Sequence, residues 1–168
     1  MQMRRVLLLL DRVISKFSRT VGVIAIFGMI ALIFPEVTAR YVFNHSFGVS
    51  EEFSSYLLVV AIFIGLAFIA NEDSHIRVQV IVSRLPPRIY GWLRAFTFLL
   101  FLLLSIILTK VSWDFVLKNY AYGTKAMYLT QTSLWIPILA IPVGFGLLCL
   151  ILLVRFLRSI DKLHEDRQ

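Results

Sequence analysis

The sequence holds a single cysteine, Cys149, so no disulfide can close within the chain. That excludes the disulfide-stapled class of small scaffolds. Charge is also scarce, with 16% of residues charged against about 25% in soluble domains. The three histidines, His45, His75 and His164, stand far apart, and no Cys or His neighbour gives them metal-ligand spacing. No glycine-rich phosphate loop, nucleophile elbow or H-E-x-x-H run is present. A transmembrane haem would need facing histidines inside apolar helices, and these three lie outside every apolar run. The expectation is a protein that is not an enzyme and carries no metal or cofactor.

What the 168 residues do contain is apolar mass: 59% are hydrophobic and the mean hydropathy is +0.83. Soluble domains run at roughly 45–50% apolar, so a soluble globular protein and a disordered binder are both excluded. The formal net charge of +7 is of the sign that nucleic-acid binders carry, but the basic residues flank apolar runs instead of forming a separate polar unit. Membrane topology accounts for them, and no nucleic-acid partner is expected.

A helix rises about 1.5 Å per residue and the hydrocarbon core is about 30 Å thick, so roughly 20 apolar residues make one span. Four stretches qualify, at about residues 20–43, 53–70, 92–118 and 134–154. The fold class expected is an all-α integral membrane protein, one four-span domain covering residues 1–168. Pro137 and Pro142 in the fourth span remove two backbone donors and predict a kink near its start.

Thirteen of the 17 basic residues lie before the first span, in the second connection or in the tail; Arg40, Lys110, Lys118 and Lys125 lie on the opposite side. By the positive-inside rule both termini and the Asn71–Arg88 connection are cytoplasmic. Aromatic residues agree: Tyr41, Phe43, Trp113, Tyr120, Tyr122, Tyr128 and Trp135 collect at the outer ends, with Tyr90 and Trp92 at the inner end.

The N-terminal 19 residues do not read as a signal peptide, because the apolar run Val6–Leu10 meets Asp11 and Arg12 at once. On a helical wheel Leu10, Ile14 and Phe17 share one face with Val6, Leu7, Leu9 and Val13; Arg4, Arg5, Asp11, Arg12, Ser15, Lys16, Ser18 and Arg19 share the other. This predicts an amphipathic interfacial arm whose apolar face meets lipid or a partner subunit. In the cytoplasmic connection, Val78, Ile81, Val82 and Leu85 follow helical spacing while Ile76, Val78, Val80 and Val82 alternate as a strand would. An unpaired strand at a membrane surface would leave backbone groups poorly hydrated, so a second short interfacial helix ending at Pro86 and Pro87 is expected.

Two i, i+4 charge pairs, Glu36 with Arg40 and Lys110 with Asp114, lie near the outer edge of the hydrocarbon, and each can neutralise itself. Ser50, Glu51 and Glu52 read as an N-cap with acidic first-turn residues opening the second span. The two carboxylates are equally suited to receive a basic partner or to pair with Arg40 across the Asn44–Val49 turn. Small residues at spacing four, Ala61 with Gly65 and Ala140 with Gly144, permit close helix approach, and Gly22, Ala25, Gly28 and Ala31 form a further small-residue face.

The order of these features resembles the small membrane subunit of tripartite ATP-independent periplasmic (TRAP) transporters, the Q or DctQ-like subunit. The resemblance rests on the amphipathic start, E-V-T-A-R-Y-V-F-N at Glu36–Asn44, S-E-E at Ser50–Glu52, G-L-A at Gly65–Ala67, H-I-R-V at His75–Val78 with L-P at Leu85–Pro86, and I-P at Ile141–Pro142. Gln79 departs from the acidic residue often found there in the family. The resemblance implies an accessory permease subunit of a sodium-coupled symporter in the bacterial inner membrane. Its partners would be a large membrane subunit (M, DctM-like), which carries the transport sites and moves as an elevator, and a periplasmic substrate-binding protein (P), which delivers an organic anion of the C4-dicarboxylate or sialic acid class. The small subunit would brace the large one's scaffold in contact with membrane lipids. Site residues under this reading are Glu36, Arg40, Glu51, Glu52, Lys110 and Asp114 as outer polar contacts, Leu10, Ile14 and Phe17 on the arm, and His75 and Arg77 in the cytoplasmic motif. Two other readings compete: a self-sufficient proton-coupled transporter using Glu36, against which the neighbouring Arg40 argues, and a membrane anchor of a redox complex.

Overall fold

The computed structural model describes residues 2–46, 48–72, 87–128 and 130–165. Five helices account for most of them: α1 Gln2–Val42, α2 Ser50–Glu72, α3 Pro87–Ala121, the short α4 Trp135–Ile138 and α5 Ala140–Glu165. Four are long and apolar enough to cross a membrane, over Leu9–Val42, Ser50–Ala70, Phe96–Ala121 and Trp135–Leu157. The expected all-α, four-span architecture is what is seen.

Local chemistry sets the helix ends. Pro87 opens α3 where a missing N–H costs nothing. Gly123, at φ +59°, closes it: its N–H reaches Tyr120 O at 3.2 Å and the Thr124 N–H reaches Asn119 O at 3.1 Å, a Schellman ending that needs a left-handed residue. Asn44 does the same service at the end of α1 with φ +48°, and the His45 N–H folds back onto Ala39 O at 3.2 Å. The fourth span divides into α4 and α5 at Leu139, between its two prolines, where the backbone stays helical (φ −55°, ψ −27°) and the Leu139 N–H still bonds Trp135 O at 3.1 Å.

The amphipathic arm and the first span form one uninterrupted 41-residue helix, about 60 Å long and so about twice the hydrocarbon thickness. A separate arm lying flat would need a break near Arg19, and none occurs. The arm's polar face is divided: Arg12, Lys16 and Arg19 are exposed, and the residues turned inward are its uncharged and acidic ones. Asp11, Ser15 and Ser18 are buried within the chain, whereas Leu9, Leu10, Val13 and Phe17 are exposed and Ile14 is half-buried. That inward polar stripe continues as small residues, with Ala25 buried and Gly28 against Leu57, although Ala31 is exposed. The interfacial helix expected at Val78–Leu85, with His75 and Arg77 before it, lies outside the described residues.

The four long helices do not close into a bundle. α1 packs on α2, α2 on α5 and α5 on α3, which makes an open row with α1 and α3 at its edges. Burial follows this order: a third of the α5 span window is buried, but only 11% of the windows in α1 and α3. The α3–α5 seam holds Phe98, Leu102 and Leu152, and the buried Ser105 hydroxyl donates across it to Phe145 O at 3.0 Å. At the α2–α5 seam the backbones come closest, with Gly144 against Phe63 and the Phe63 and Phe145 rings edge to face at 5.4 Å. Small residues and inter-helix hydrogen bonds hold the row because apolar burial gives no advantage over lipid contact.

Candidate functional site

The polar chemistry concentrates at the end of the row where α1 stops and α2 begins. Glu36 and Arg40 are one turn apart on α1, and the left-handed Asn44 and Gly48 turn the chain back so that α2 starts beside them. The Glu36 side chain is only 6% exposed. Its Oε1 accepts from Arg40 Nη2 at 3.1 Å and from Ser46 Oγ at 2.6 Å, and its Oε2 accepts from Ser50 Oγ at 2.8 Å. Arg40 Nη2 also reaches Glu51 Oε1 at 3.3 Å. The side chains of Arg40 and Glu51 are 48% and 63% exposed, so this second ion pair is a screened surface contact, while the first completes the hydrogen bonding of a buried carboxylate. The Ser50 hydroxyl is committed to Glu36, which makes it a tie between helices in place of the N-cap read from sequence.

Glu51 and Glu52 are neighbours, yet a step of about 100° around the helix separates their directions. Glu52 turns into the protein and is 0% exposed. Tyr56 donates its hydroxyl to Glu52 Oε1 at 2.7 Å, and Thr130 donates to Oε2. Thr130 belongs to the connection between α3 and α4, which folds as a small hairpin: the Ala126 N–H bonds Thr132 O at 2.9 Å, the Leu134 N–H bonds Thr124 O at 3.0 Å, and Lys125 faces Ser133. Thr132 Oγ1 lies 2.9 Å from Thr130 Oγ1. Two adjacent carboxylates therefore tie three segments together, Glu51 through Arg40 to α1 and Glu52 through Thr130 to the hairpin.

Of the six residues expected as outer polar contacts, Glu36, Arg40 and Glu51 share one network and Glu52 is interior. Lys110 and Asp114 are exposed on α3 and form no ion pair with each other. That corrects the expectation that each pair neutralises itself, and a lysine placed before its acid is the weaker i, i+4 orientation. Sequence reasoning did not find Ser46, Tyr56, Thr130 or Thr132. A partner 78 positions away, as Thr130 is from Glu52, leaves no periodic signal. Among the described residues no three His, Cys, Asp or Glu side chains gather as metal ligands. The arrangement has the chemistry of a clasp, with acceptors filled by donors of the same chain.

Residues 29–162 match the family described as tripartite ATP-independent periplasmic transporters, DctQ component. Two Haemophilus influenzae proteins named as TRAP transporter small permease proteins are similar in sequence. One is 33% identical over 96 residues, covering 55% of this chain and 60% of that protein. The other is 31% identical over 75 residues, covering 45% of this chain and 46% of that protein. The matched regions thus span between about half and three-fifths of these relatives' lengths. With most of its length, including the clasp and all four spans from residue 29 onward, matched by one family, this multi-pass membrane protein belongs to the DctQ component family of TRAP transporters.

Proposed function

We propose that the chain works as the non-catalytic small permease subunit of a sodium-coupled importer of organic anions, bracing the scaffold of a large membrane subunit that a periplasmic binding protein loads. The observation that carries this reading is the open row of helices pinned at one end by buried carboxylates. Such a slab presents two broad apolar faces, and its charged residues sit near span ends: none falls within residues 20–35, 53–71, 95–109 or 126–154. A transport path needs polar groups or broken helices near the midplane, whereas a brace needs stiffness and surface. Sodium, the anion class and the elevator motion belong to the companion subunit in this scheme, and Glu36 is engaged in a clasp instead of standing open to carry protons.

A tagged pull-down from the native membrane in mild detergent tests the assignment. Recovery of a large polytopic membrane protein at about one to one is expected, and recovery of this chain alone, or of a homo-oligomer that moves solute in vesicles, overturns it. Orientation in the inner membrane follows from the charge bias. In a Cys149→Ser background, a cysteine at Tyr122 should react with a membrane-impermeant maleimide in intact spheroplasts, and one at Lys16 only after permeabilisation. The reverse pattern would invert the topology.

A further inference from the structure

Away from the clasp, a groove of about 510 Å³ runs between α3 and α5, and its wall is almost wholly apolar. Ile106, Val143, Gly146 and Leu150 form the sides, and Lys110 and Trp113 stand together towards one end. Lys110 makes no ion pair or side-chain hydrogen bond among the described residues. It lies one turn from Trp113, an aromatic of the kind that marks the edge of the hydrocarbon. A lysine at that depth has its stem in apolar surroundings and its ammonium at headgroup level.

We infer that this groove binds one anionic phospholipid, an acyl chain lying along Ile106, Val143, Gly146 and Leu150 and the phosphodiester paired with Lys110. Three features favour a lipid. The groove's volume of about 510 Å³, walled by aliphatic side chains, suits the methylenes of an acyl chain. Its length along α3 from Ile106 to Trp113 is about 10 Å, room for part of an acyl chain. Its one cation lies at the end where a lipid carries phosphate. Asp114, one turn further out, is exposed and outside the lining, so it leaves Lys110 free for that phosphate. Gly146 has nothing within 4 Å of where a Cβ would stand, which means the space beside it is open and can be filled without moving α3 or α5.

The test uses the full chain in phosphatidylcholine nanodiscs doped with phosphatidylglycerol or phosphatidylcholine carrying a diazirine in one acyl chain, with adducts mapped after photolysis. Phosphatidylglycerol is expected to label the groove segments about fivefold more than phosphatidylcholine, the ratio that roughly 1 kcal/mol of lysine attraction to an anionic headgroup corresponds to. Lys110→Gln should bring that ratio to about one, and Lys118→Gln, which removes an exposed charge from the same helix outside the groove, should leave it unchanged. Gly146→Leu should abolish groove adducts while adducts on the outer faces of α1 and α3 persist. Equal labelling by the two lipids in the unaltered chain overturns the inference, as do adducts spread evenly over all exposed apolar faces. Groove adducts that vanish when the chain is probed within its recovered complex would place a protein there and overturn it as well.

Discussion

Replacing Gly144 with alanine is expected to destabilise the protein by about 3 kcal/mol, the upper end of the usual cost of overpacking, and Gly144→Leu to prevent assembly of the row. A Cβ at this position would stand 2.2 Å from Phe63 O and 2.4 Å from its carbonyl carbon. Those are backbone atoms of α2, so no side-chain rotation relieves the overlap and the two helices must separate. The consequence is large because of the open arrangement. The α2–α5 seam joins the α1–α2 half to the α5–α3 half, and α1 touches α5 only slightly. A closed bundle would distribute such a shift over several seams; a row has one place to give way. Glycines elsewhere supply the comparison. Gly22 and Gly65 have nothing within 4 Å of an added Cβ, and alanine there should be neutral or stabilising by about 0.5–1 kcal/mol, the usual difference in a helix interior. Thermal unfolding of the detergent-solubilised variants reads the contrast. Gly144→Ala melting with Gly65→Ala would mean that the close approach does not support the row.

That contrast also marks what the sequence can disclose. Span count, the donors missing at Pro137 and Pro142 and the spacing of Ala140 with Gly144 follow from helix rise, ring chemistry and side-chain size, all of which are local properties. Which small residues meet a neighbour is not local. An added Cβ at Gly144 would meet α2 backbone, whereas one at Gly65, in the same kind of pattern, would meet nothing within 4 Å. In water an apolar stripe marks the inside of a helix, but in lipid both sides of a span are apolar and the rule loses its direction. The arm shows the effect most clearly: Asp11, Ser15 and Ser18 share the polar side of the wheel and are buried, while Leu10 and Phe17, on the side read as meeting lipid or a partner, are exposed. At the clasp, Glu36 with Arg40 was legible because one helical turn joins them. Glu52 was legible only as a helix-start acid, since the residues that give it another role lie in a hairpin reached through two further spans.

Glu52→Ala is accordingly expected to be the most damaging single change at the clasp, and Glu51→Ala, one residue earlier, among the mildest. Removing the Glu51 carboxylate breaks a solvent-screened contact and leaves Arg40 still bonded to Glu36. Removing the Glu52 carboxylate leaves the Tyr56 and Thr130 hydroxyls without their common acceptor and detaches the α3–α4 hairpin from α2. The hairpin has little else to hold it in register, for it is closed by one bridge and a few backbone hydrogen bonds. Hydrogen exchange at the Ala126 and Leu134 amides should therefore rise roughly tenfold in Glu52→Ala, the scale of one lost hydrogen bond to a charged acceptor, and the melting temperature should fall by several degrees. Glu52→Gln should retain most of the protection, because its amide can accept from Tyr56 and donate to Thr130. Thr130→Val should reproduce a part of the alanine effect and add little to it in the double variant, as expected of two groups in one interaction. Equal exchange in Glu51→Ala and Glu52→Ala would show that the hairpin is held by something other than this carboxylate. The difference between the two adjacent glutamates arises from helix geometry alone: one residue's rotation carries the first carboxylate towards solvent and α1, and the second beneath the loop that joins the far side of the row.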